Sequence, residues 1–479
     1  MSGQLKTIGF LDSDLTLVGE NASIIHESFM SFIRYGISRN NISGAYETSS
    51  TFSHNDILST RVRLTSSDIA GSDAFGWSVA SGSGRIVVGC KNDDDDGNRS
   101  GSVYVYNTIS HLDDTAGTPT IEVIDSDLQG HDRELKITAS DAAVEDEFGY
   151  SVGVANGRIV VGAPENDDGG TTSGSAYIYY LDGTNEVKLT ASDAAANDRF
   201  GESVAIGCKK IVVGAIGDNS DQGAAYIYDL DGTNEVKLTA SDGTAGDKFG
   251  CSVSIGSGRI VVGAKSVNVS TAVSEGGSTA NVGQAYIFDL NGNEIAKFSN
   301  SDARANGEFG HSVAAGSGKI VIGAPGMNIS GGSAKPGTAY IFDLDGNQLS
   351  RLDATTADGS YSPYLGGYSA AEDGDKFGFS VSVGSGIIVV GAPQENHGLY
   401  TNVGAAHVFD LDGNFKERIF AYPGINNYAE MGNAVSIGSG KIVVGARYDS
   451  APFFGTGRVR IFDLPSQNYD VYVERLLGY

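Results

Sequence analysis

One short text recurs seven times along the chain and constrains its fold more than any other feature. It reads FGxSV, a glycine-containing turn, then IVVGA. The copies are FGWSVASGSGRIVVGC from Phe75, FGYSVGVANGRIVVGAP from Phe148, FGESVAIGCKKIVVGA from Phe200, FGCSVSIGSGRIVVGA from Phe249, FGHSVAAGSGKIVIGAP from Phe309, FGFSVSVGSGIIVVGAP from Phe377 and, degenerate at its first position, MGNAVSIGSGKIVVGA from Met431. A loop of variable length follows each copy, then a run such as GAAYIYDL (Gly223 to Leu230), a DG turn and a run such as EVKLTASD (Glu235 to Asp242). Repeats of this length are supersecondary units that bury their apolar faces only against one another.

Apolar and polar residues alternate in SVAIG and EVKLTA, the period of a strand with one covered face, whereas IVVGA is the continuous β-branched run of a strand covered on both. GSG, ANG and DLDG supply the positive-φ positions of tight hairpins. Each unit therefore reads as a four-stranded antiparallel meander, A-B-C-D. Seven of them give about 28 strands, too many for one open sheet. Radial repetition resolves the edge problem, so the predicted fold is all-β: a seven-bladed β-propeller of four-stranded blades over residues 56–466. Residues 1–55 do not match the repeat and are expected to be a docking or attachment segment, with a short amphipathic helix over Ser23 to Ile37. Residues 467–479 form a C-terminal tail. RVRLTSSD (Arg61 to Asp68) matches the D-strand text but precedes the first FG, and so is predicted to close the ring as the outermost strand of the last blade. The competing candidate for that edge is Tyr469 to Leu477.

The signature is complete at Phe148 to Pro164, Phe309 to Pro325 and Phe377 to Pro393, and there it resembles the FG-GAP repeat of the integrin α-subunit head and its bacterial and viral relatives. The resemblance covers roughly residues 60–465. It implies a propeller platform for extracellular recognition, often with calcium in some blades. The family's metal-binding blades place an acidic loop between the FG and GAP strands. Here that connection is SGSG at Ser81 to Gly84, ANG at Ala155 to Gly157, GSG in four further blades and GCKK at Gly207 to Lys210. None carries a carboxylate, and calcium is not expected at those positions.

Chain order puts the A-B and C-D turns on one face, and the B-C loops with the D-to-A crossovers on the other. Length variation is concentrated in the B-C loops, which makes theirs the expected binding face. Its candidate ligand residues are Tyr361, Tyr364, Tyr368, Tyr400, Tyr448, Phe453 and Phe454, aromatic rings suited to a sugar or a protein partner. Asn92, Asp94 and Asp96 have the alternate spacing of a calcium loop, and Glu165, Asp167 and Asp168 sit one blade on, so these six are the candidates for weak calcium binding. No catalytic residues are assigned. His311 and His407 occupy repeat positions inside strands, and the GxG elements lead into strands rather than helices.

With 59 acidic against 32 basic side chains, the net charge of −27 disfavours nucleic acid and anionic membrane surfaces as partners. No apolar run is long enough to span a bilayer, and the first residues lack the basic and apolar regions of a Sec signal. The three cysteines are too few and too scattered for a disulfide framework. The expected function is non-enzymatic recognition or adhesion on a virion or extracellular surface, foremost as a phage tail or fibre component. Its expected partner is a cell-surface glycan or protein, or another virion protein, with oligomerisation through the N-terminal segment as an option. The alternatives are a bacterial surface or type I-secreted calcium-responsive adhesin, and a polysaccharide-acting enzyme built on a propeller.

Overall fold

The computed structural model describes residues 10–11, 17–18, 61–68, 70–108, 134–269, 280–298, 302, 304–327, 336–354, 374–396, 400–420, 427–449 and 455–464. The chain divides into two compact units, Arg61–Phe462 and Met1–Thr60 with Asp463–Tyr479. In the latter unit the described residues are Asp463, Leu464 and two paired strands, Phe10–Leu11 and Leu17–Val18. The segments Ser23 to Ile37 and Tyr469 to Leu477 lie outside the described residues.

Arg61–Phe462 is a ring of seven four-stranded antiparallel blades. Blade 3 shows the pattern: A is Phe200–Gly207, B is Lys210–Ala215, C is Ala224–Asp229 and D is Val236–Leu238. Val204 faces Val213, Ile211 faces Tyr228 and Ile227 faces Val236 across the ladders. Every B strand is buried after its first residue, as a β-branched run covered on both faces requires.

The hydrophobic cores lie between blades rather than within them. Val160, Ile178 and Leu189 of blade 2 pack with Phe200, Ile211 and Tyr226 of blade 3, and Val212, Ile227 and Leu238 of blade 3 pack with Phe249, Val262 and Tyr286 of blade 4. Each repeat phenylalanine is fully buried, edge-on to the C-strand aromatic of its own blade, as in Phe200 with Tyr226 at 5.4 Å between centroids.

The signature has a physical origin in the contact between neighbours. Gly201, at φ 97, sits in the left-handed region that glycine enters most cheaply. Its carbonyl accepts the Ser151 hydroxyl of blade 2 at 2.8 Å. The same carbonyl lies over Gly162, the glycine of the blade 2 GAP text, where a Cβ would overlap it. The FG glycine, the serine of SV and the glycine of GA thus form one inter-blade joint. The D-strand text has a similar role: beyond the blade 2 D strand, the Ser192 hydroxyl donates to Glu235 at 2.6 Å, while Asp193 accepts from Tyr226 at 2.8 Å and Lys237 at 2.6 Å in blade 3.

The N-terminal strand closes the ring. Arg61–Leu64 pairs antiparallel with Arg458–Asp463, the C strand of blade 7, in the register Arg61 with Phe462 through Leu64 with Val459.

Candidate functional site

The B-C loops and D-to-A crossovers share one face, stitched together by backbone hydrogen bonds: Glu145 to Asn98 at 2.9 Å, Asn197 to Thr171 at 2.8 Å and Tyr428 to Thr401 at 2.9 Å. The residue that follows each FG opens onto this face at the axis of the ring. Trp77, Tyr150, Glu202, Cys251, His311, Phe379 and Asn433, one per blade, surround the mouth of an axial cavity of about 270 Å³. Beneath them run Ser78, Ser151, Ser203, Ser252, Ser312, Ser380 and Ala434, then a ring of valines. One repeat position therefore carries seven different residues on a scaffold whose adjoining positions barely change.

A second ring surrounds the first. The residue before each repeat phenylalanine has a positive φ: Ala74 at 60, Glu147 at 53, Arg199 at 56, Lys248 at 58, Glu308 at 56 and Lys376 at 62, with Glu430 at 52 before Met431. Left-handed backbone costs a residue with a Cβ on the order of 1 kcal/mol or more. Long charged side chains hold the position in every blade but the first, and several of them reach the mouth.

On the side of blades 7 to 3, cations, carboxylates and aromatic rings interlock. Lys91 Nζ stands 4.0 Å from the Trp77 ring centre and 5.1 Å from that of Tyr150, and pairs with Glu147 at 2.9 Å. Burial, and then the fields of Arg99 and Arg447, push the Lys91 ammonium down to about 8. The Arg447 guanidinium lies 4.6 Å from Trp77 and 5.1 Å from Tyr448, with its Nε bonded to Glu430 at 2.7 Å. Arg199 binds Glu165 and Glu202, and the Tyr150 hydroxyl donates to Glu202 at 3.2 Å. On the side of blades 4 to 6, Lys265 and Lys376 have no ion-pair partner among the described residues.

Cys251, His311 and Glu202 are consecutive around the mouth and have the residue types of a nucleophile with its base. The Cys251 thiol instead donates to the Gly310 carbonyl at 3.4 Å, and burial raises its pKa, so it is held as a neutral thiol. Burial lowers the His311 pKa, and His311 packs on the Phe379 ring at 4.8 Å. His311, which repeat alignment explains as a substitution inside a strand, stands at the axial mouth. The signal that would have found the whole ring was present, namely a repeat position that differs in every copy between residues that recur.

Among the residues singled out from sequence, Tyr400 is exposed in the blade 6 B-C loop, and Tyr448 is half-buried beside Arg447. Tyr361, Tyr364, Tyr368, Phe453 and Phe454 lie outside the described residues. In the blade 1 B-C loop Asn92 bonds the Ser72 carbonyl at 3.1 Å, while Asp94 and Asp96 face solvent. The acid that turns inward is Asp93, which accepts from Ser102 and Tyr104 at 2.9 Å each. Asp68, Asp93 and Asp95 do converge, but around Lys136 Nζ, at 2.8, 3.0 and 2.5 Å. An ammonium stands where a cation would sit. In blade 2, Asn166 replaces the inward acid, Asp168 pairs with Lys188, Asp167 accepts the Thr172 amide at 2.6 Å, and Glu165 pairs with Arg199.

The FG-GAP repeat family model matches residues 59–106, 132–179, 184–228, 233–288, 293–342 and 369–409, more than half of the chain. No curated protein matches it.

Proposed function

Because the chain belongs to the FG-GAP repeat family, we propose that it is a non-enzymatic recognition module that binds a cell-surface glycan or protein through its B-C loop face, with the axial mouth as the contact site. The observation that carries this reading is the ring of seven unlike residues at one repeat position. Such diversity on an otherwise repetitive frame is what a surface built for one particular partner requires, since the frame fixes position and the side chains supply chemistry. Trp77, Tyr150 and Phe379 offer flat apolar faces beside amide and charged groups, the composition of a carbohydrate or protein contact. The neutral Cys251 thiol argues against nucleophilic chemistry on this ring. Display on a phage virion, as a tail or fibre component, is the setting we favour for a strongly acidic propeller of this family.

The test is to immobilise the full chain and present a glycan panel and whole bacterial cells, with and without EDTA. Binding that is retained in EDTA and lost in a Trp77→Ala/Phe379→Ala variant of unchanged melting temperature supports the reading. Absence of binding throughout, or the release of new reducing ends from a polysaccharide, overturns it.

A further inference from the structure

The side chains that line the axial cavity have already committed their protons. Each of the six lining serines donates its hydroxyl to the FG-glycine carbonyl of the next blade, at 2.7 or 2.8 Å. A carbonyl can only accept, so the direction of all six bonds is fixed. At the mouth the Tyr150 hydroxyl donates to Glu202 at 3.2 Å, and the Cys251 thiol donates to the Gly310 carbonyl at 3.4 Å. Asn433 Nδ2 places its two hydrogens on the Gly76 and Trp77 carbonyls, at 3.1 and 2.9 Å. Only the rings of Trp77 and His311 keep an N–H outside such bonds. The remaining hydrogen-bonding capacity of the lining side chains is therefore almost wholly lone pairs. Each serine oxygen can still accept, and the Glu202 carboxylate has acceptor sites beyond those taken by Tyr150 and Arg199. Glu202 is also the one carboxylate of the lining, which holds no lysine or arginine.

We infer that the axial cavity takes the terminal residue of a neutral, hydroxyl-rich glycan, which supplies the protons that the lining lacks. This rests on the reading of the mouth as the recognition site and names its ligand class. A carboxylate, sulfate or phosphate brings acceptors to acceptors, and its charge meets that of Glu202. An ammonium brings donors, but Arg199 already balances Glu202, and Lys91 and Arg447 stand 4.0 and 4.6 Å from the Trp77 ring centre. Uncharged hydroxyls donate without meeting either obstacle. The volume of about 270 Å³ lies just under the roughly 300–1,000 Å³ of small-molecule pockets, room for one sugar ring rather than a chain. Trp77 and Tyr150, 5.7 Å apart between centroids, and Phe379 on the other side of Asn433 give a pyranose apolar faces to lie against.

Trp77 is the single tryptophan of the chain and lines the cavity, so its fluorescence reports occupancy directly. The full chain is titrated with maltotriose, cellotriose and mannotriose, with trigalacturonate, and with the trimer of glucosamine. The expected result is saturable binding of at least one neutral trisaccharide, about tenfold or more tighter than either charged one. Analogues of that trisaccharide with one terminal hydroxyl replaced by fluorine keep its size but bring no proton there, and at least one should bind about tenfold or more weakly. Cys251→Phe fills the mouth at a repeat position that carries Phe379, Tyr150 and Trp77 in other blades, so it should abolish binding at unchanged melting temperature. Equal or tighter binding of a charged trimer, or fluorinated analogues that all match the parent, overturns the inference while leaving the recognition reading in place. Neutral-sugar binding that survives Cys251→Phe overturns the assignment to the cavity. No saturable change with any of these sugars overturns the inference, and the recognition reading then stands or falls on the glycan and cell panel.

Discussion

Asn433 Nδ2 donates to the Gly76 carbonyl at 3.1 Å across the seam where the last blade meets the first. At the other six seams a serine hydroxyl makes this bond, at 2.7 or 2.8 Å. Blade 7 has Ala434 in place of that serine, and the neighbouring asparagine reaches over instead, bonding the Trp77 carbonyl as well at 2.9 Å. Asn433→Ala should therefore lower stability by about 1–3 kcal/mol, the cost of leaving buried carbonyls unmet. Ala434→Ser in that background should restore part of it. Denaturant unfolding decides the matter, and an unchanged midpoint would show that the seam is held by the closing strand alone.

The repeat phenylalanines are core residues, not contacts. Phe309 is fully buried and sits edge-on to Tyr340 at 5.6 Å and Phe342 at 6.0 Å. Phe309→Ala should cost about 3–5 kcal/mol of stability. Near-neutral stability together with lost binding would reverse the assignment.

The outline of the fold was legible because a strand announces itself locally. Alternation in SVAIG, the β-branched IVVGA and the DG turns were enough to place A to D, and RVRLTSSD could be matched to the missing edge by text alone. What the serine and the two glycines are for was not legible, since Ser151, Gly162 and Gly201 act on one another across a blade boundary some 40 to 50 positions apart in sequence. The same holds for EVKLTASD, whose lysine and glutamate meet an aspartate and a serine of the preceding blade. Alternate spacing fits Asp94 and Asp96 as well as Asp93 and Asp95, and it does not say which parity turns inward. That is decided by Ser102, Tyr104 and Lys136 on neighbouring strands.

The Lys136 ammonium satisfies the acidic cluster of blade 1, so removal of divalent cations should matter little. EDTA should shift the melting temperature by less than about 1 °C, since an ion bound only to the folded state would raise it measurably. Lys136→Met should destabilise the protein and make that variant, unlike the parent, gain stability on adding calcium. A large EDTA effect on the parent would show that the B-C loops hold metal.

Lys91 gives a pH signature of the mouth. Its folded pKa of about 8 lies below the ordinary 10.5, chiefly through burial. Between those values the unfolded chain still holds the proton and the folded chain does not, so stability from this group rises as pH goes from about 8 to 10.5 and is flat below. Melting curves of the parent minus Lys91→Met should show that rise. A difference that falls over the same window would mean that the Glu147 pairing outweighs burial.

Recognition on the face of the axial mouth, as proposed, is tested against the opposite face, for which the chain carries its own control. Cys208 is exposed in the blade 3 A-B turn, and Tyr428 is 54% exposed beside the B-C loop of blade 6. A bulky polyethylene glycol maleimide coupled to Cys208 should leave glycan and cell binding within about twofold of the unmodified protein, as expected for a site outside the interface. The same reagent on Cys208→Ser/Tyr428→Cys should abolish binding. Loss of binding on modifying Cys208, with binding retained after modification at position 428, would put recognition on the A-B turn face instead.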